Sequence, residues 1–353
     1  MAAGQAAVLE RSVYDGSSAL LPSPYLLFLG DVTEPGYAKT AFGLRDWAGE
    51  RCIGEYALPG ARVSTGLPQM TPAEAAARGA QALVIAVATP GGAIPALWEA
   101  ALVEALAAGL DIVAGMHRKL GDIPSVARIA AINGRRLIDI RMPPPDIPVA
   151  SGKKRTGKRL LTVGTDCALG KKYTALAVAR ALQARGRDAQ FRATGQTGIM
   201  IAGEGMPIDA VVADFVAGAA ELLTPSAAPG HIDVIEGQGS IFHPSYAPVS
   251  LGLLHGSQPD LFIVCHDPSR TSVLGHPDYP LPSIEAVIEL TTALGRLTNP
   301  AIRCAGVSLN THALDALAAD TEIARTAERL GLPVADPIRG GPAFEQLLDA
   351  CLA

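Results

Sequence analysis

The stretch that most restricts the fold is Leu160-Leu161-Thr162-Val163-Gly164-Thr165-Asp166-Cys167-Ala168-Leu169-Gly170-Lys171-Lys172-Tyr173-Thr174. It reads as a buried strand, a loop bounded by glycines, and a helix that opens at two lysines. That order makes a phosphate cradle: glycines let backbone N–H groups turn inward, the helix N-terminus adds a positive dipole end, and a lysine reaches the outer phosphate. The usual spacing is glycine, four residues, then Gly-Lys-Ser/Thr, and the segment departs from it twice. Gly164 stands one residue early, and Lys172 occupies the place where a hydroxyl normally ligates Mg²⁺. A cradle without that hydroxyl is expected to hold a phosphorylated ligand better than it hydrolyses a nucleotide. The competing reading is an ordinary glycine-rich turn. The strand before and the helix after count against it. The residues expected to hold the ligand are Gly164, Thr165, Asp166, Cys167, Ala168, Leu169, Gly170, Lys171, Lys172 and Tyr173. Cys167 lies at a helix N-terminus, where a thiol pKa is expected to fall, but backbone geometry is preferred to a nucleophilic role.

Strand and helix patterns alternate on both sides of this stretch. Before it, strands are expected at 25–31, 82–88, 111–116 and 137–141. A helix opens at Lys39, and another follows the Thr89-Pro90-Gly91-Gly92 turn through Leu106. After it, strands are expected at 188–194, 232–236, 261–265 and 303–309, with helices at 171–185, 210–223, 284–297, 314–330 and 342–352. Such alternation predicts parallel sheets with ligand loops at the strand C-termini. Only Met142-Pro143-Pro144-Pro145-Asp146-Ile147-Pro148 and the polar segment after it break the pattern, so a linker is expected at about 143–158. The expected fold is α/β: an N-terminal Rossmann-like parallel-sheet domain over 1–150, then a P-loop NTPase-like domain over 159–353.

A chain of 353 residues fits two such domains, and 49% hydrophobic content supplies their cores. A net charge of −5 and 5% aromatic residues argue against nucleic acid as a partner. The basic cluster Lys153-Lys154-Arg155 with Lys158-Arg159 is expected to be a solvated linker. Five scattered cysteines point to reduced thiols, and Met1-Ala2-Ala3-Gly4-Gln5 does not open a signal peptide. No apolar run is long enough for a membrane span. A soluble cytoplasmic protein is expected, without a membrane partner.

Loops after the later strands carry the polar residues. Arg192-Ala193-Thr194-Gly195-Gln196-Thr197-Gly198 is expected to be a ligand loop, with a flexible loop as its alternative. One of Asp209 and Asp214 is expected to cap the following helix. Glu236-Gly237-Gln238-Gly239 places an acid where a P-loop protein keeps a metal-facing or base carboxylate, against the alternative of a carboxylate bonded to loop amides. His243, His255 and His266 also follow strands or helices. No pattern such as His-Glu-x-x-His is present, so no dedicated metal site is expected.

Gly164–Lys171 resembles the loop of dethiobiotin synthetase, which also begins Gly-Thr-Asp, and Glu236-Gly237 is similar to the Glu-Gly segment of those enzymes. A longer resemblance joins Lys39-Thr40-Ala41-Phe42-Gly43-Leu44, the phosphate loop, residues 193–198 and 209–221, Glu236-Gly237-Gln238-Gly239-Ser240 with His243-Pro244, and His255-Gly256-Ser257. This set looks like a two-domain bacterial P-loop family linked to D-glutamate N-acetyltransferase activity, and the similarity covers about 26–348. The resemblance implies acetyl transfer from acetyl-CoA to the amine of D-glutamate or a related D-amino acid, and the loop would hold the CoA phosphates. Amine attack on a thioester needs a base, for which Glu236 and His243 are the candidates, and donors for the oxyanion. Lys39, Arg192, Gln196, Gln238 and Arg270 are the candidates to hold substrate, arginine giving a bidentate grip on carboxylates. The alternatives are an ATP- and Mg-dependent carboxylate–amine ligase of the dethiobiotin synthetase kind, and a nucleotide-binding regulator without turnover. The N-terminal half lacks Gly-x-Gly-x-x-Gly after Gly30-Asp31, so dinucleotide binding is not expected there. It is expected to close over the site or to build a homo-oligomer interface.

Overall fold

A computed structural model describes residues 21–89 and 92–353. Pro90 and Gly91 of the expected turn, and the N-terminal residues read for a signal peptide, lie outside the described residues. The chain divides into two compact units. The first contains the described residues up to Pro145 together with Gln196–Ala210; the second contains Asp146–Gly195 and Val211–Ala353.

In the first unit, strands β1 (Tyr25–Gly30), β2 (Cys52–Ala57), β3 (Ala82–Ile85), β4 (Asp111–Ala114) and β5 (Leu137–Asp139) form one parallel sheet in the order β2-β1-β3-β4-β5. Helices α1 (Lys39–Trp47), α2 (Pro72–Ala77), α3 (Glu99–Ala107) and α4 (Pro124–Asn133) connect them. β1 is buried along its whole length, as a two-sided parallel strand requires. Gly30 ends it with φ +57°, and a Cβ there would lie 2.5 Å from the Trp98 ring, whose Nε1 donates to Asp31 at 2.8 Å. β2 was not expected, because Gly54 and Glu55 interrupt its apolar pattern. Glu55 is nevertheless wholly buried: Ser64, Thr65 and Gln69 all donate to its carboxylate.

The second unit is built on β6 (Lys158–Gly164), α5 (Lys171–Ala184) and β7 (Ala189–Arg192). The segment α6 (Gln196–Ala202) belongs to the first unit, and α7 (Val216–Leu223) and β8 (Ile232–Ile235) return to the second. There follow α8 (Ala247–Ser257), β9 (Leu261–His266), a small antiparallel hairpin β10 (Ser272–Val273) and β11 (His276–Pro280), α9 (Ile284–Gly295), β12 (Arg303–Leu309), α10 (Ala316–Leu330), β13 (Val334–Ala335) and α11 (Pro342–Leu352). Six strands pair in parallel in the order β13-β12-β9-β6-β8-β7, with β6 between β9 and β8. β6 is followed in the chain by the edge strand β7, so the strand order reverses beside it. Ligands of open α/β sheets bind over the carboxyl ends of strands at such a switch point.

Three expectations are corrected here. The expected helix over 210–223 begins only at Val216; Phe215 precedes it without a side-chain cap, and Asp209 instead pairs with Arg141 in the first unit. The expected ligand loop after Arg192 turns into helix α6 at Gln196. The basic cluster is a solvated linker only in part: Lys153 and Lys154 are exposed, whereas the arginines turn inward. Arg159 is wholly buried and donates to the carbonyls of Arg155, Thr156 and Pro225, and Arg155 donates to Thr224 O at 2.7 Å. Guanidinium groups here satisfy carbonyls of the segment before β6 and of the C-terminal end of α7.

Candidate active site

β6 delivers the loop. Thr162, wholly buried, donates through Oγ1 to Ile235 O (3.2 Å) and accepts from Gly237 N (2.9 Å), which ties the ends of β6 and β8 together. Gly237 has to be glycine: a Cβ there would stand 1.6 Å from Thr162 O. The loop turns through Ala168 (φ +55°) and Gly170 (φ +108°) into α5, whose first amides receive no side-chain cap. An uncapped helix N-terminus behind a glycine turn is an anion-binding geometry. Lys171 is buried and its Nζ donates to Asp166 O at 2.6 Å, while burial lowers its pKa against the pull of nearby Cys167, Cys265, Asp166 and Glu236. The Lys172 ammonium lies 4.6 Å from the centre of the Tyr173 ring. Leu169 is buried beneath the loop, and Ala168 is exposed on it.

Asp166 joins the loop to the hairpin. Its Oδ2 accepts from Leu274 N (2.7 Å) and pairs with Arg270 (3.2 Å), which also donates to Cys167 O at 2.7 Å. Asp166 Oδ1 is buried without a hydrogen-bond partner among the described residues. Thr165 Oγ1 lies 3.0 Å from His266 Nδ1. The Cys167 thiol pKa is raised, opposite to the expected direction: burial is the largest influence, exceeding the opposing pull of Lys171 and Arg270.

Glu236 stands at the end of β8, 5% exposed, and its Oε2 accepts from Thr194 N (3.0 Å) and Gly195 N (3.1 Å). Thr194 returns a bond from Oγ1 to Glu236 O at 2.7 Å and accepts one from Gln238 Nε2 at 2.9 Å. Gly195 leaves the room for this, since a Cβ there would lie 2.7 Å from Gln238 Nε2. The alternative of a carboxylate bonded to loop amides therefore describes Glu236 as it stands, and its position at the strand end is kept.

His243 is 2% exposed. Its Nδ1 accepts from Ser245 N at 3.0 Å, so in the neutral ring the proton sits on Nε2. Burial is the main cause holding its pKa below the ordinary histidine value. With Nδ1 taken by Ser245 N and the ring against His276 of the hairpin, His243 is poorly placed to accept a substrate proton. Asp166, Cys167 and His243 offer ligand atoms within 4.8 Å of one another, His243 Nε2 lying 3.9 Å from Asp166 Oδ1. The proton on Nε2 leaves no lone pair there for a cation.

The five residues expected to hold substrate are shared between the two units. Gln238 and Arg270 stand beside Glu236 and the phosphate loop in the second unit. Arg192 is engaged by Asp233 at 2.5 Å, next to the His231–Asp233 contact. Lys39 and Gln196 belong to the first unit; Lys39 is exposed at the start of α1, and Gln196 accepts from Arg141 Nε at 3.0 Å. His255 bonds Leu294 O (3.1 Å) within the helical layer. The geometry adds Thr162 and Leu274 to the neighbourhood and keeps Thr194 of the expected ligand loop there. A hydroxyl two residues before the loop glycine inside an apolar strand was the signal in the sequence for Thr162; Leu274 had none.

A parallel six-stranded sheet, a glycine-rich loop on its central strand and an acid at the end of the next define a P-loop α/β protein, joined to a Rossmann-like unit. The chain belongs to the DUF1611 family: residues 148–348 match its P-loop domain of unknown function, and residues 52–143 match its Rossmann-like domain of unknown function. A crystal structure of a DUF1611 family protein from Anabaena variabilis is similar with a TM-score of 0.82 and 34% identity, over 93% of this chain and 99% of that one. Two relatives bear the name D-glutamate N-acetyltransferase. One, from Tritonibacter scottomollicae, is 47% identical over 95% of this chain and all of its own length; the other, from a Pseudoalteromonas species, is 45% identical over 90% of this chain and 96% of its own.

Proposed function

We infer that this chain is a D-glutamate N-acetyltransferase. The observation that carries the reading is near-half identity, over nearly the full length of both partners, to two proteins of that name. The donor we propose is acetyl-CoA, with its phosphates on the loop from Gly164 to Lys172. The fit rests on the chemistry of that loop: uncapped α5 amides and a buried lysine suit phosphate oxygens, and the hydroxyl that would ligate Mg²⁺ is replaced by Lys172.

Within this reading Glu236 is the base. It removes a proton from the substrate ammonium, and the freed amine attacks the thioester carbon. The C–N bond forms first and gives a tetrahedral oxyanion, met by backbone N–H groups of Gln238 and Gly239, that of Gly237 being held by Thr162; the C–S bond then breaks, and the CoA thiolate takes up the proton that the nitrogen loses. Thr194 and Gly195 orient the carboxylate, and Arg270 is the candidate partner for a substrate carboxylate. His243 becomes a structural residue. The test is thiol release from acetyl-CoA on adding D-glutamate, without ATP or Mg²⁺. No release above background, with related D- and L-amino acids also tried, removes the reading; Mg²⁺-dependent ADP formation with an amine would replace it with a ligase.

A further inference from the structure

Beside the phosphate loop runs a chain of rings to which the chemistry above gives no task. Tyr246 lies against His243 with centroids 4.5 Å apart and planes inclined by 31°. His276, on β11, meets His243 edge-on at 5.2 Å, and Tyr279 meets His276 at 5.8 Å. The fixed member is His243, held by Ser245 N and 3.9 Å from Asp166 of the loop. The two tyrosines are not buried with it: each keeps 51% of its surface exposed. Tyr246 is thus a large ring backed on one face by an immobilised histidine, presented to solvent one residue away from the phosphate cradle. A ring held in place from behind loses little conformational freedom when a planar ligand stacks on its front. A cradle that grips the phosphates of a nucleotide needs such a surface for the base.

We propose that Tyr246, with His276 and Tyr279 beside it, is the stacking platform for the adenine of a nucleotide whose phosphates occupy the loop, which in acetyl-CoA is the adenosine end of the donor. The proposal rests on the reading of the loop as a CoA-phosphate cradle. It asks of Tyr246 an aromatic face and nothing of its hydroxyl.

Calorimetry on the full-length protein tests it with three ligands: CoA; 4′-phosphopantetheine, which keeps a phosphate and lacks the base; and ATP. Base–aromatic stacking of ordinary strength predicts that Tyr246→Leu weakens CoA about 5- to 100-fold. The same variant should leave phosphopantetheine binding unchanged, and Tyr246→Phe should keep wild-type affinity for both. Unchanged CoA binding by Tyr246→Leu overturns the platform. Equal loss of CoA and phosphopantetheine also overturns it, because Tyr246 would then be a structural prop. Wild-type protein that binds ATP but not CoA, with ATP weakened in Tyr246→Leu, keeps the platform and removes the CoA reading. Thiol release measured on the same preparations scores the reaction separately.

Discussion

At the scale of single residues, the site is set by what cannot be larger and by what is already bonded. Gly237 is the sharpest case, because the atom its side chain would strike is the backbone carbonyl of Thr162, in the middle of the sheet. A backbone atom has no rotamer to yield with, so Gly237→Ala should lower stability by at least about 3 kcal/mol, read as a shift of the urea midpoint. A wild-type midpoint would show that the end of β8 is free to move. Glu236→Gln preserves the shape and the Gln238–Thr194 contact but removes the proposed base. We expect kcat to fall by about 10²- to 10⁴-fold with the dissociation constant for CoA nearly unchanged. A variant with normal kcat would assign Glu236 to loop architecture alone. His243→Gln, by contrast, should act through the hairpin. Its effect is expected on protease sensitivity near Leu274 before any effect on the acid limb of the rate profile.

At the scale of elements, what was legible in the sequence and what was not follow one rule. β6 and α5 could be read because a largely apolar strand, a glycine-bounded loop and paired lysines are all local signals. The apolar runs of β1 and of 261–265 in β9 were equally plain. β2 was hidden because its buried acid, Glu55, is satisfied by Ser64, Thr65 and Gln69 from later in the chain, which no local pattern reports. α6 was hidden because Gly195 and Gly198 bracket residues that read as a loop. The β10–β11 hairpin is too short to show a period, yet it supplies Leu274 to Asp166 and His276 to His243. Of the candidate site, the loop and Glu236 were visible, whereas the engagement of His243 and of Arg192 depended on tertiary partners. The loops at the ends of β8 and β9 also carry a pH dependence. Burial lowers the pKa of both His243 and His266, so the native protein binds fewer protons than the unfolded chain once pH falls to the ordinary histidine value of about 6.5. Their contribution to stability is complete above that value and is lost as pH falls through the lower native pKa values. Unfolding free energies measured between pH 8 and pH 5 should therefore decline below about 6.5, and His243→Gln should flatten the decline. A profile level from pH 8 to pH 5 would contradict the buried neutral state of both rings.

At the scale of the whole molecule, the two units are not consecutive in the chain. The first is completed by Gln196–Ala210, inserted in the sequence between β7 and α7 of the second. That segment is well tied within the first unit: Thr197 Oγ1 lies 2.8 Å from Thr40 Oγ1, Arg51 donates to Ile201 O at 3.3 Å, and Arg141 holds both Gln196 and Asp209. Ile199, Met200 and Ile201 are buried there at 1%, 1% and 7% exposure. Burying side chains of this size is worth about 1.5–3 kcal/mol each, and a chain cut in the 143–158 segment strands all three on the wrong fragment. A protein expressed from residue 151 onward should then expose an apolar helix and self-associate, and residues 1–150 alone should be less stable than the same unit in the intact chain. Co-expression of the two pieces should restore a soluble complex, because the missing segment is covalently intact in the second piece. Size-exclusion chromatography of each fragment alone and of the pair decides it. Two monodisperse, independently folded fragments would mean that the inserted segment adds little to the first unit's core.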